Sequence, residues 1–283
     1  MNNYKFLAVQ GRTIPQIGNS MQYFPSNWKE EFPIISKLGF YGIEWIYDKN
    51  SEFTNPILTK NGRKEISELS KKNNVILENI VFDWFLSNPF LQKNEFAQEK
   101  NIEKFLNLME HCADVGFKRI IFPLLDKNKM NSDNEIISLI THFEKKIIKQ
   151  LDLLDIEIHF ETSLSPKKEK LIMTSLNHEK IKICFDMGNS ASEGFDPIEV
   201  IDILDRNLGS VHIKDRKFGG SSVPIGQGDV KFQQIFYSLN KINFNGPISF
   251  QIYRNRDSNN ILLLKSSLTF INEIISKSIN DSK

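Results

Sequence analysis

Three side chains in this sequence have the types and spacing of a metal site: Glu161, Asp186 and His212. Each lies at or near the end of a short, mostly apolar run. The runs are Ile156-Glu157-Ile158-His159-Phe160-Glu161, Ile181-Lys182-Ile183-Cys184-Phe185-Asp186, and Ser210-Val211-His212-Ile213 leading into Lys214-Asp215. Runs of this kind, bounded by turn residues, read as buried strands. Parallel α/β proteins place their chemistry at the C-terminal ends of such strands. The three residues are spaced 25 and 26 positions apart, the length of one strand–helix–strand step. Two carboxylates and an imidazole converging on one point can hold a divalent cation. Side chains alternate along a strand, so His212 and Lys214 face one way and Asp215 the other. Glu161 and His159 share a face for the same reason. A lone acid at a strand end is more often a helix cap or an ion-pair partner. Three donors at matching strand ends are what carries the metal reading.

The flanking sequence supplies a regular frame for these side chains. Strand-like runs at 6–9, 42–46, 75–82 and 119–122 precede them, and 247–252 follows. Helical patterns fall between, at 28–38, 62–72, 95–115, 132–154, 229–243 and 260–278. Gly39 and Gly116 stop two of these as C-caps. Ser132 caps another start, and Ser165-Pro166 and Asp196-Pro197 open two further helices with proline in the first turn. Strands alternating with crossover helices imply a parallel sheet. Eight such units in 283 residues predict an α/β fold, a single (β/α)8 TIM barrel spanning 1–283 as one domain. Long loops are expected at 12–27 and 214–228, where lids and binding walls form.

A net charge of +1 gives no broad electrostatic footprint for nucleic acid or for an anionic membrane surface. No apolar run approaches the ~18 residues of a membrane span. The first residues lack a signal-peptide pattern. Cys112 and Cys184 lie far apart in apolar contexts and read as free buried thiols of a reducing compartment. A cytoplasmic protein is expected.

Several motifs, in order, carry a family resemblance. They are Gln10-Gly11-Arg12, Leu38-Gly39-Phe40-Tyr41-Gly42-Ile43-Glu44-Trp45, Phe160-Glu161-Thr162, Phe185-Asp186-Met187-Gly188-Asn189-Ser190, Val211-His212-Ile213-Lys214-Asp215-Arg216, and Pro224-Ile225-Gly226-Gln227-Gly228-Asp229. Through them the chain resembles the xylose isomerase-like barrels, specifically their sugar-phosphate isomerase and epimerase branch. The resemblance implies one divalent metal ion (Mn, Co, Zn or Mg) held by Glu161, Asp186 and His212, with a strand-eight glutamate as fourth ligand. Here strand eight carries Gln251 instead. Its oxygen can still bind a metal, but it has no charge and cannot exchange protons. The implied reaction is isomerisation or epimerisation of a small sugar or sugar phosphate. A proton moves at a carbon next to a carbonyl, through a metal-stabilised enediolate. In the epimerases of this branch, glutamates on strands five and eight work from opposite faces of the substrate. With Gln251, Glu161 remains as base, and Lys214 or a metal-bound water is left as acid.

Other residues are assigned by position. Glu44, ending strand two, is implied to support a ligand or touch the substrate. Arg12, Arg216 and Arg254 follow strands one, seven and eight and could clamp a phosphate or carboxylate. Asn189 stands where relatives use histidine and could bond a hydroxyl. Asp83-Trp84-Phe85 offers either a stacking wall or core aromatics. His159 reads as a packed barrel residue. Two alternatives remain: a non-catalytic sugar-binding or scaffold protein, permitted by Gln251, and an endonuclease IV-like DNA-repair enzyme. The latter needs three zincs and more histidines than the five present. A homo-oligomer is compatible with the resemblance.

Overall fold

Eight strands form in the computed structural model, which describes residues 4–15, 22–254 and 259–280. They are β1 (Lys5–Val9), β2 (Gly42–Ile46), β3 (Ile76–Val81), β4 (Arg119–Leu124), β5 (Glu157–Thr162), β6 (Ile181–Asp186), β7 (Leu208–Ile213) and β8 (Pro247–Phe250). All pair in parallel, in the closed order β1-β8-β7-β6-β5-β4-β3-β2. Helices connect consecutive strands, so the chain is a single (β/α)8 barrel.

Alternation along each strand divides the side chains between two environments. Ile158 and Phe160, Ile183 and Phe185, and Val211 and Ile213 join the large cluster shared with the helices. Their neighbours His159, Glu161, Cys184, Asp186, Ser210 and His212 take the other face and are buried as well. A small apolar plug of Val9, Ile46, Val81, Ile121 and Cys184 packs together there. The barrel interior is thus partly polar, while the outer layer is conventional core. That layer is densest at Phe122, whose ring lies 4.5 to 5.7 Å from those of Phe85, Phe90, Phe105, Phe143 and Phe160. Trp84 and Phe85 are buried in the core cluster too. They therefore form no stacking wall.

Most helices begin and end where their caps dictate. Gly39 and Gly116 adopt left-handed φ values of 83° and 99°, which a side chain would resist. Thr59 accepts a hydrogen bond from Gly62 N–H and starts Lys60–Asn73. Three stretches depart from expectation. The helix expected over 132–154 contains a π-turn, Phe143–Ile147, between Asp133–His142 and Ile148–Leu154. The wider turn goes with full burial of both Phe143 and Ile147. A short helix, Met187–Glu193, follows β6 at once, in a stretch to which the sequence assigned no element. Asp186 caps it, accepting from Asn189 N–H at 2.7 Å. The loop after β7 is built rather than open: Asp215–Arg216 pairs antiparallel with Ser222–Val223. Of the other expected long loop, 12–27, positions 16–21 lie outside the described residues.

Candidate active site

The three residues nominated by strand position meet at the C-terminal mouth of the barrel. Asp186 and His212 are register partners on β6 and β7, and Glu161 pairs with Cys184 one step below Asp186's neighbour position on β6. One donor atom from each of Glu161, Asp186 and His212 lies within 4.8 Å of the other two. All three side chains are buried. Among the described residues this is the one cluster of its kind.

His212 is held from beneath. Its Nε2 lies 2.9 Å from Glu44 Oε1, an ion-pair distance without linear hydrogen-bond alignment. The other Glu44 oxygen accepts from Ser249 Oγ at 2.7 Å and from Asn79 Nδ2 at 3.1 Å. Glu44 is completely buried, so it supports His212 and does not reach the cavity. Nδ1 of His212 is left facing Glu161 Oε1 at 3.6 Å, buried and without a hydrogen-bond partner. An unpartnered buried ring nitrogen beside two carboxylates is the donor set a divalent cation takes.

The charges are strongly coupled. Burial alone would lower the His212 pKa, but its surroundings raise it well above the ordinary value. Cys184 and the carboxylates of Glu44 and Glu161 surround it. Burial pushes the Cys184 thiol itself up to about 11, so it is neutral near pH 7 and the carboxylates supply the field. Burial also holds the Glu161 carboxyl above its usual range, and Asp186 adds to this. For Asp186 burial acts in the same direction, but Lys214, His212 and Asn189 N–H more than offset it and hold its pKa down. Of the two carboxyls, Glu161 therefore has the greater hold on a proton.

Above this cluster opens a cavity of about 620 Å³. Its lining includes Glu161, Asn189, Lys214, Arg12, Arg216 and Gln251, all nominated from sequence. Lys214 Nζ donates to Gln251 Oε1 at 2.9 Å and reaches Asp186 Oδ2 at 3.3 Å. The Gln251 oxygen is thus engaged by Lys214. Arg216 Nη1 donates to Asn189 Oδ1 at 2.9 Å, and Asn189 Nδ2 reaches Glu161 Oε1 at 3.4 Å. Gly188 makes room for this wall: a Cβ there would lie 2.9 Å from Lys214 Cγ and 3.1 Å from Arg216 Cγ.

Arg254 does not line the cavity. It is fully buried, lies 4.4 Å over the Tyr23 ring, and donates from Nη2 to Ile14 O, Pro15 O and Tyr23 Oη. The strand-eight arginine braces the loop after β1 instead of facing a substrate. His159 is a satisfied barrel residue, with its ring nitrogens 2.8 Å from Ser210 Oγ and 2.9 Å from Glu157 Oε2. The sequence reading missed Gln22, Asp48, Lys49, Lys129 and Ser163, which also line the cavity. All come from loops, and no local pattern marks them. Asp83 lines it too, although its aromatic neighbours turn into the core. Burial, with Glu161 and Asp48 nearby, pushes the Asp83 carboxyl up to about 7.

Fold and site together define a (β/α)8 enzyme with a metal-type cluster at the strands' C-terminal ends. Residues 32–274 match the xylose isomerase-like TIM barrel family, and the chain belongs to that family. One similar protein is SgbU of Haemophilus influenzae, a candidate L-ribulose-5-phosphate 3-epimerase. It is 22% identical over 267 residues, covering 87% of this chain and 92% of the relative. Another is the L-ribulose-5-phosphate 3-epimerase UlaE of Shigella flexneri, 21% identical over 237 residues, covering 80% and 82%. Among solved structures, L-ribulose 3-epimerase superposes with a TM-score of 0.78 at 13% identity, covering 99% of this chain and 97% of that one. With these relatives, the chain is an enzyme of the isomerase–epimerase class.

Proposed function

We propose that this enzyme is a divalent-metal-dependent epimerase or isomerase of a small ketose or ketose phosphate. The observation that carries the reading is the buried convergence of Glu161, Asp186 and His212 beside a polar cavity that Glu161 lines. These three residues would hold the ion, His212 through Nδ1. When bound, the ion would polarise a substrate carbonyl and favour the enediolate.

The chain's own groups do the rest. Glu161, the one carboxylate of the three that lines the cavity, removes the proton from the carbon beside the carbonyl. Lys214, drawn toward β8 by Gln251, is the donor on the strand-eight side of the cavity. It supplies the returning proton. Asn189 and Arg216 present amide and guanidinium groups to substrate oxygens, as does Arg12 from the wall after β1. One three-residue cluster among the described residues and a net charge of +1 favour this reading over a three-zinc DNA-repair nuclease. No helix among the described residues is long and apolar enough to cross a membrane, in keeping with the proposed cytoplasmic location.

The test is solvent deuterium incorporation into L-ribulose 5-phosphate, D-psicose and related ketoses, with and without added Mn2+. Exchange at one carbon of one of these sugars is expected, lost on chelation and reduced by about 10³-fold or more in Glu161→Gln. Exchange unaffected by Glu161→Gln would contradict the assignment.

A further inference from the structure

We infer that Gln22 is a positioning residue of this site, and that the chain presents an amide at 251, just past β8, because Gln22 faces it. The two glutamine amides are oriented by groups that can only donate. Arg12 Nη2 donates to Gln22 at 3.0 Å, so the Gln22 atom at that contact must be its oxygen. Lys214 Nζ donates to Gln251 at 2.9 Å, so the Gln251 atom there must also be its oxygen. The Gln251 nitrogen is then left to donate to the Gln22 oxygen, which it does at 3.0 Å. The Gln22 nitrogen is left for Asp83 Oδ2, at 2.5 Å. Reversing either amide would set donor against donor at Arg12 or at Lys214.

All five side chains line the cavity. They form one chain from Asp83 through Gln22 to Arg12 and Gln251, and on through Lys214 to Asp186. A glutamate at 251 would still accept from Lys214. Its second oxygen, however, would face the Gln22 oxygen that Arg12 holds in place. Two acceptors at that distance repel and leave both without the bond. The uncharged residue just past β8 is therefore matched to its neighbour from the loop after β1. Under the function proposed above, on which this role rests, Gln251 carries no proton. It orients Lys214, and Gln22 ties that orientation to Arg12.

Two thermal-denaturation comparisons on the full-length chain test the match without requiring turnover. In the first, Gln251→Glu is made in wild type and in Gln22→Leu. The new ion pair with Lys214 is common to both backgrounds and cancels; the oxygen–oxygen clash exists only with Gln22. The melting-temperature change on Gln251→Glu should be less favourable in wild type by about 2–4 °C. In the second, run at pH 9 so that Asp83 is ionised, Gln22→Glu keeps an oxygen toward Arg12 and Gln251 but turns another on Asp83. It should lower the melting temperature by a similar amount, and adding Asp83→Asn should restore it. With L-ribulose 5-phosphate as substrate, KM should rise about tenfold in Gln22→Glu and return to within about twofold in the double variant. An equal effect of Gln251→Glu in both backgrounds overturns the inference. So does a Gln22→Glu defect that Asp83→Asn leaves in place. If no sugar is turned over, the epimerase reading fails while the denaturation results still decide this one.

Discussion

Glu44 shows how a residue outside the cavity governs the chemistry within it. It is fully buried, yet its carboxylate faces the imidazole of His212 and is itself fixed by Ser249 and Asn79. That arrangement leaves Nδ1 of His212 for the ion. Glu44→Gln removes the charge while keeping the shape. Mn2+ affinity, measured by titration calorimetry, should fall by about 10–100-fold. Unchanged affinity would leave Glu44 with a packing role only. Residue-level reading of the sequence went furthest where strand ends fixed direction: Glu161, Asp186 and His212 were legible because alternation and step length leave few choices. It failed at Arg254. An arginine after a strand looks the same whether it meets substrate or backbone carbonyls, and here Ile14, Pro15 and Tyr23 claim it. Gln22 was illegible for a related reason: its meaning lies in Arg12, Asp83 and Gln251, which approach only in the folded chain.

At the scale of elements, the site depends on how loops are tied to the barrel. Asp215 follows β7 and points away from Lys214, as strand alternation requires. Its buried carboxylate accepts from Gly226 and Gly228 N–H at 2.8 Å each, and from Val230 N–H at 3.3 Å. Asp215→Ala strands these donors and should destabilise the protein by about 2–4 kcal/mol in urea denaturation. A second tie is Glu169, on the helix Pro166–Leu176. Its carboxylate accepts from Thr162 Oγ at 2.7 Å, at the end of β5. Burial raises its pKa from the ordinary 4.5 to about 7. Between those values the folded state holds the extra proton. The Glu169 contribution is therefore fully present below 4.5 and is lost as pH rises through about 7. Glu169→Gln should match wild type near the acid end and exceed it at pH 8 by up to about 3 kcal/mol. Equal stability at both ends would show that Glu169 is ionised in the fold. The elements themselves were largely legible, since glycine stops and Ser, Thr or Asp caps are local signals. The π-turn at Phe143–Ile147 and the helix Met187–Glu193 were not. The first reflects what Phe143 and Ile147 must bury. The second starts on Asp186, whose carboxylate serves both the cap and the cluster.

For the whole molecule, eight strand–helix repeats specify a barrel with little ambiguity, because parallel strands need crossovers and eight of them close. The interior is less readable. Its polar layer of Glu44, Asn79, His159, Ser210, His212 and Ser249 is fully buried, and would look unfavourable to any reading based on hydropathy. Hydrogen bonds tie Glu44 to Ser249 and Asn79, and His159 to Ser210; of the atoms left without one, His212 Nδ1 is the one that faces Glu161 and points at the candidate metal position. The most direct measurement is an anomalous-difference map from crystals of the chain grown with Mn2+. A single strong peak bonded to Glu161, Asp186 and His212 Nδ1 is the expected result. A peak elsewhere, or no peak among these three residues, would contradict the site.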